Sequence, residues 1–240
     1  MSQMAELRDF YENPETPVSA AEDRTARIVG FLREIVATAT EPLTILDVGC
    51  GDGGITRMAV DAAPGHRVIG MDWAAAPLRT ASGKGLTVVR GGAAHPGLPV
   101  ASGRVDVVIF SEVIEHLVDP DAAIVELRRV LRPGGHLLLS TPNLAAWFNR
   151  GMLLLGMQPV FSEVSMVHVF GRPGSSVAGH LRLFTLPALR EFLLAYGFTD
   201  LIVRGASYHD VPKPLKPIDR LLRHWPAAAA ILTVHARKPT

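Results

Sequence analysis

The sequence predicts an α/β domain built on a doubly wound, mostly parallel sheet. Three observations carry that expectation. Seven short apolar runs punctuate the 240 residues. Helix-patterned stretches separate most of the first five. Glycine and proline mark the joins, as at Pro133-Gly134-Gly135. Strand alternating with helix is the pattern of a parallel sheet covered on both faces.

Residues 1–40 read as an N-terminal helical segment, with Ala20–Thr38 amphipathic and Ile28, Phe31, Leu32 and Ile35 on one side. The candidate strands are Leu43–Val48, Arg67–Met71, Leu86–Val89, Val105–Phe110, His136–Ser140, Leu201–Arg204 and Ile231–Ala236. Helical patterns cover Ile55–Ala62, Ala75–Ala81 and Asp121–Leu131; Pro133-Gly134-Gly135 should stop the last and turn the chain into strand five. The rhythm then breaks. Residues 144–184 show no clear strand, and a long irregular segment inside a compact domain reads as a functional loop, here a lid inserted after strand five. Trp147, Phe148, Leu153, Leu154, Leu155, Phe161, Met166 and Phe170 would give it an apolar wall. Helix Pro187–Tyr196, closed by Gly197, restores the pattern, and a proline-rich excursion follows from Tyr208 to Pro226. No internal repeat interrupts what reads as a single domain over 1–240.

Composition narrows the setting. Hydrophobic content of 48% and charged content of 20% are ordinary for a globular protein. A formal net charge of +1, without a Lys/Arg stripe, gives no reason to expect a nucleic-acid partner. No apolar run approaches the roughly 18 to 20 residues of a membrane span, so no membrane partner is expected. The polar N-terminus and the single cysteine, Cys50, make a cytoplasmic location the expectation.

The strongest local signal is "ILDVGCGDGG", residues 45–54, a buried strand running through glycines into a helix. Backbone can approach a ligand closely at such a turn. Gly49, Gly51 and Gly54 also satisfy the G-x-G-x-x-G spacing of dinucleotide binders, so the glycines alone do not choose between cofactors. Their context does. Asp47 would repel a pyrophosphate but suits a ligand with an ammonium group. Asp72, ending strand two, is placed to accept from two ribose hydroxyls, and Trp73 could flank a purine. This set suits S-adenosylmethionine better than NAD. Asp72 as a helix N-cap and Trp73 as plain packing stay open.

"ILDVGCGDGG", "VIGMD", "RVDVVIFSEVIEHL" and "ELRRVLRPGGHLLLSTPN", in this order, resemble the class I S-adenosylmethionine-dependent methyltransferases, and in particular their ubiquinone-pathway O-methyltransferase-like branch. The resemblance is close over about residues 40–143. It implies a Rossmann-like, seven-stranded sheet whose last strand is reversed, and "AAILTVHARKP" suits that strand. Carried over, Asp47, Gly49, Cys50 and Gly51 form the cofactor loop, Asp72 is the ribose acid, and Ser111 ends strand four. One departure stands out. Many members carry an acid for the adenine amino group before "LP", where this chain has Ala93 and Ala94; the resemblance then implies that backbone and packing hold adenine there. His95 reads as a loop residue.

"SEVIEHL", residues 111–117, follows strand four and flanks the crevice between strands one and four, where such sheets bind ligands. Read as a helical turn, it puts Glu112, Glu115 and His116 at i, i+3 and i+4 on one face. Three readings remain. The turn is solvated; or His116 is a general base, with His180 second and Tyr208 and His209 entering the pocket after strand six; or Glu112, Glu115, His116 and His180 bind a divalent metal. E-x-x-E-H resembles the pattern of ubiquinone-pathway enzymes and of ribose O-methyltransferases of small RNAs. The expectation adopted is metal-free O-methylation of a small molecule with a hydrophobic body. A metal-dependent enzyme acting on a catechol or an RNA ribose, and a non-catalytic cofactor-binding protein, are the alternatives.

Overall fold

β1 (Thr44–Val48) lies at the centre of one seven-stranded sheet ordered β3-β2-β1-β4-β5-β7-β6, in the computed structural model, which describes residues 22–94, 97–174 and 177–240. The first 21 residues and His95 fall outside the described residues. The other strands are β2 (Arg67–Asp72), β3 (Val88–Arg90), β4 (Val105–Ser111), β5 (Leu131–Pro142), β6 (Thr199–Ala206) and β7 (Ile231–Arg237). All pairs are parallel except those of β7, which runs against both β5 and β6. The reversed last strand implied by the resemblance is present.

Helices cover both faces because neighbouring strand residues point to opposite sides. Ile45, Val107, Ile109 and Leu138 pack under α1 (Glu22–Val36) and α2 (Gly54–Ala62), meeting Ile28, Phe31, Leu32 and Ala59. Leu46, Val108, Phe110, Leu137 and Leu139 pack under α4 (Pro120–Val130) and α6 (Leu186–Ala195), meeting Ile124, Leu127, Leu189 and Leu193. The expected stripe Ile28, Phe31, Leu32 and Ile35 is indeed the buried face of α1. α3 (Ala75–Gly83) completes the β2–β3 connection. Local chemistry sets several starts. Asp119 Oδ1 accepts from Ala122 N at 2.8 Å before α4, and Thr185 Oγ1 accepts from Ala188 N at 3.4 Å before α6.

Two expectations need correction. Pro133-Gly134-Gly135 does not separate helix from strand: β5 begins at Leu131, directly after α4, and carries those residues through a register shift against β4. The C-terminal end of the chain explains this, since Gly134 N donates to Lys238 O at 3.0 Å and Lys238 N to Gly135 O at 2.9 Å. Gly134, at φ of 75°, still turns the chain, but its paired backbone keeps that turn inside the strand as a bulge. The segment after β5 also contains regular structure, α5 (Trp147–Leu154). A last short helix, α7 (Lys216–Leu222), occupies the proline-rich excursion before β7.

Candidate active site

The carboxyl ends of β1, β2 and β4 converge where the chain, having built the sheet outward through β2 and β3, returns to the other side of β1. A ligand crevice forms at such a switch. Gly49, Gly51 and Gly53 have φ of 79°, 53° and 83°, the left-handed region that glycine tolerates. A Cβ on Gly49 would strike the Val113 side chain, whereas one on Gly51 would meet nothing within 4 Å. The loop is therefore closed towards "SEVIEHL" at its first glycine and open at its second.

Asp72 braces this loop. Its Oδ2 accepts from Gly51 N and its Oδ1 from Ala74 N, both at 2.9 Å. Asp72 thereby closes the turn that leads into α3 and contacts the glycine loop, but the N-cap position of α3 falls to Ala74. A carboxylate offers about four acceptor sites, so two backbone donors fix its orientation compatibly with ribose hydroxyls. Asp47 sits beneath the loop, 2% exposed, accepting from Thr56 Oγ1 at 2.6 Å. Burial pushes its carboxyl up to about 7 against the opposing Thr56 bond, and the charge of Asp72 adds to the rise. Cys50 is buried too, its thiol raised by burial, with Gly70 leaving it room. Trp73 is half-buried, its carbonyl accepting from Arg90 Nε at 2.9 Å. Ala93 and Ala94 are half-buried against the core.

The turn after β4 departs from the helical expectation. It is a three-residue 3₁₀ turn, Ile114–His116, and Glu112 stands outside it with φ of 56°. The shared face is broken as a result. Glu112 pairs with Arg24 of α1 at 2.9 Å and accepts from Ser140 Oγ at 2.9 Å, and Ser140 in turn meets Ser111 Oγ at 2.8 Å. Ser111 is therefore a buried brace at the sheet end. Glu115 is fully buried rather than presented to the crevice surface. Thr141 Oγ1 donates to its Oε2 at 3.0 Å, whereas Oε1 has no hydrogen-bond partner. Burial, reinforced by the charge of Glu112, holds its carboxyl well above the usual range. His116 Nε2 lies 3.9 Å from that same Oε1.

The long segment after β5 fixes both histidines. Gly179 O accepts from His116 Nδ1 at 3.1 Å, and Phe161 O from His180 Nδ1 at 3.1 Å. A carbonyl can only accept, so each ring carries its proton on Nδ1. The rings stand 4.9 Å apart, and one ligand atom each of Glu115, His116 and His180 lies within 4.8 Å of the others. Burial, with the neighbouring His180 ring, lowers the His116 imidazolium to about 3. Leu181 N and Arg182 N donate to Glu115 O at 2.7 and 2.9 Å, tying the same segment to the turn. Phe161, itself at φ of 76°, packs against Phe148 and Tyr208 to wall this side. Tyr208 is thus near the cluster, its hydroxyl raised by burial. His209 is not brought to it. That side chain is half-exposed beside Asp210 at 3.2 Å, because β6 ends at Ala206 and the chain turns outward.

Glu163 holds the delivering segment, and sequence reasoning missed it. Its Oε1 accepts from Ala178 N at 2.6 Å, and its Oε2 accepts from Gly179 N at 2.7 Å and His180 N at 2.9 Å. No periodicity marks a carboxylate whose partners are backbone groups fifteen or more residues away. Glu163→Ala should release residues 177–182, seen as faster amide exchange there with little change in β4 or β5. Unchanged exchange would remove this role.

A family model described as a methyltransferase domain matches residues 20–203, and the chain belongs to this family, the class I S-adenosylmethionine-dependent methyltransferases. It is similar to a ubiquinone biosynthesis O-methyltransferase of Pectobacterium carotovorum, 36% identical over 133 residues, covering 50% of this chain and 51% of that protein. A protein of the same description from Cereibacter sphaeroides is 38% identical over 109 residues, covering 43% of this chain and 42% of its own. The alignments thus span only about half the length of these relatives. Among solved structures, an S-adenosylmethionine-dependent methyltransferase of Archaeoglobus fulgidus superposes with a TM-score of 0.59 at 16% identity, over 89% of this chain and 94% of its own. A phosphoethanolamine N-methyltransferase of Haemonchus contortus gives 0.63 at 15% identity, over 98% and 60%. At such identities the likeness is one of fold.

Proposed function

We propose that this protein transfers the methyl group of S-adenosylmethionine to an oxygen of a small molecule with an apolar body. The observation that carries this reading is the presence of two devices at the same carboxyl edge of the sheet, whose loops meet where Gly49 faces Val113. After β1 and β2 stand the open Gly51 turn and Asp72; after β4 come half-buried His116 and His180, with buried Glu115 behind them and an aromatic wall beside them. The cofactor, when bound, supplies a methyl group on a positively charged sulfur. Asp72 and the glycine loop would hold its ribose, Trp73, Ala93 and Ala94 would border the base, and Asp47 would favour its cationic end from beneath. The raised carboxyl of Asp47 fits that last role, since a nearby cation returns it to the charged form.

The chain's own residues then orient the acceptor. His116, neutral near pH 7 and fixed through Nδ1, presents Nε2 on the Glu115 side as the proton acceptor for a hydroxyl. Glu115, once ionised, would stabilise the imidazolium that forms. Phe148, Phe161 and Tyr208 exclude water and contact the apolar body. Residues 144–184 act as a lid that closes over both ligands.

A second reading has a specific observation behind it. Two imidazoles locked through Nδ1 by carbonyls, together with the unpartnered Glu115 Oε1, are the donor set and outer bracing of a divalent cation site. Glu112 is not part of it, being engaged by Arg24. A cation held there would lower the pKa of an acceptor hydroxyl.

Transfer of a labelled methyl group to hydroxyl acceptors, with and without chelator, tests both readings. Activity that survives chelation supports His116 as base. Activity lost to chelator and restored by a divalent ion supports the cation. Methylation confined to amines or thiols would contradict O-methylation.

A further inference from the structure

The short helix α7 is turned inside out. Its acid, Asp219, is 2% exposed; Oδ1 accepts from Trp147 Nε1 at 3.0 Å and Oδ2 from Tyr208 N at 3.1 Å. Leu215, Ile218, Leu221 and Trp225 instead face outward, with Leu221 71% and Trp225 59% exposed. Their spacings of three, three and four residues set them along one side of the segment. α5 extends this surface. Arg150 Nη2 donates to Ala227 O at 2.7 Å, tying that helix to the end of the same excursion, and Leu154, four residues on, is 88% exposed. Single exposed leucines need no explanation, but a stripe in register with an inward-facing acid does.

Basic side chains outnumber acids around the stripe; the acids nearest in the fold are buried Asp219, Asp23, which pairs with Arg223 at 3.0 Å, and exposed Asp210, which lies 3.2 Å from His209. Arg150, Lys213 and Arg220 are exposed, and Lys216 is half-exposed. Residues 143–162 contain no Asp or Glu, and residues 211–240 contain only the buried Asp219. We propose that this face docks on the surface of a membrane containing anionic lipid. Leu154, Leu221 and Trp225 would enter the boundary between headgroups and acyl chains, while the Lys and Arg side chains would meet lipid phosphates. Among the described residues no helix is long and apolar enough to cross a membrane, so the contact is superficial. The sequence expectation of no membrane partner considered only spans. A second copy of this chain is a poorer occupant, because a two-fold contact through one patch would set its cations against the same cations. The docking does not depend on the reaction proposed above.

Cosedimentation of the full chain with vesicles tests it. Vesicles of phosphatidylcholine and phosphatidylglycerol in equal parts should carry the protein down, and phosphatidylcholine alone should carry far less. Lys213→Gln and Arg220→Gln should each weaken binding roughly fivefold, the equivalent of about 1 kcal/mol per basic residue. Leu221→Glu with Trp225→Glu should abolish binding without lowering the melting temperature, both side chains being exposed in the fold. No binding to the mixed vesicles, or equal binding by that double variant, would overturn the proposal. So would a dimer in sedimentation velocity that the double variant dissociates, if the wild type ignores vesicles.

Discussion

Replacing His116 with alanine is expected to slow methyl transfer by roughly a hundred- to ten-thousandfold, the usual loss when a positioned base is removed. Affinity for S-adenosylhomocysteine should be unchanged, because the glycine loop and Asp72 make no bond to this imidazole in the contacts described above. The pH dependence of stability should change as well. In the unfolded chain His116 takes up a proton near its ordinary pKa of 6.5, whereas the folded chain withholds it until about 3. Its contribution to stability is therefore present above pH 6.5 and is lost as pH falls towards 3. His116→Ala should flatten that part of the acid limb in thermal melts. A variant that keeps full activity would return "SEVIEHL" to a structural turn.

Replacing Asp72 with alanine should weaken S-adenosylhomocysteine binding on the order of ten- to a hundredfold. Loss of one charge-assisted hydrogen bond is worth roughly 1.5 to 3 kcal/mol. Two effects combine here: the ribose loses its acceptor, and Gly51 N and Ala74 N lose the carboxylate that holds the loop in shape. Asp72→Asn separates them, since an amide oxygen can still accept from one backbone donor. It should bind more tightly than Asp72→Ala and less tightly than the wild type. Calorimetry with NADH as the competing ligand checks the cofactor class. Tight NADH binding, with S-adenosylhomocysteine affinity equal in wild type and Asp72→Ala, would contradict the assignment.

Periodicity and punctuation made most of the sheet legible. A buried strand advertises itself by a short apolar run, and the seven runs are the seven strands, with every end except the start of β5 within two residues of the expected place. β5 departs most, because its first half carries a bulge at Gly134 held by Val105 of β4 and by residues 238 and 239, partners that a local reading does not see. The cofactor side was readable because a strand, a glycine turn and a following acid are close in sequence. The acceptor side was only partly so. Glu115, His116 and His180 stood out by residue type and meet in space. Helical spacing groups Glu112 with them, but Glu112 itself is left-handed and stands before the 3₁₀ turn, where Arg24 of a distant helix pairs with it. The Arg24 and Glu163 roles rest on partners brought together by tertiary structure alone.

A crystal structure with S-adenosylhomocysteine bound tests the central claim most directly. The account predicts ribose hydroxyls on Asp72, the base beside Trp73 and Ala93–Ala94, and the sulfur facing the space bounded by Glu115, His116 and His180. A ligand whose sulfur points away from that group, with no acceptor-sized space between them, would contradict it.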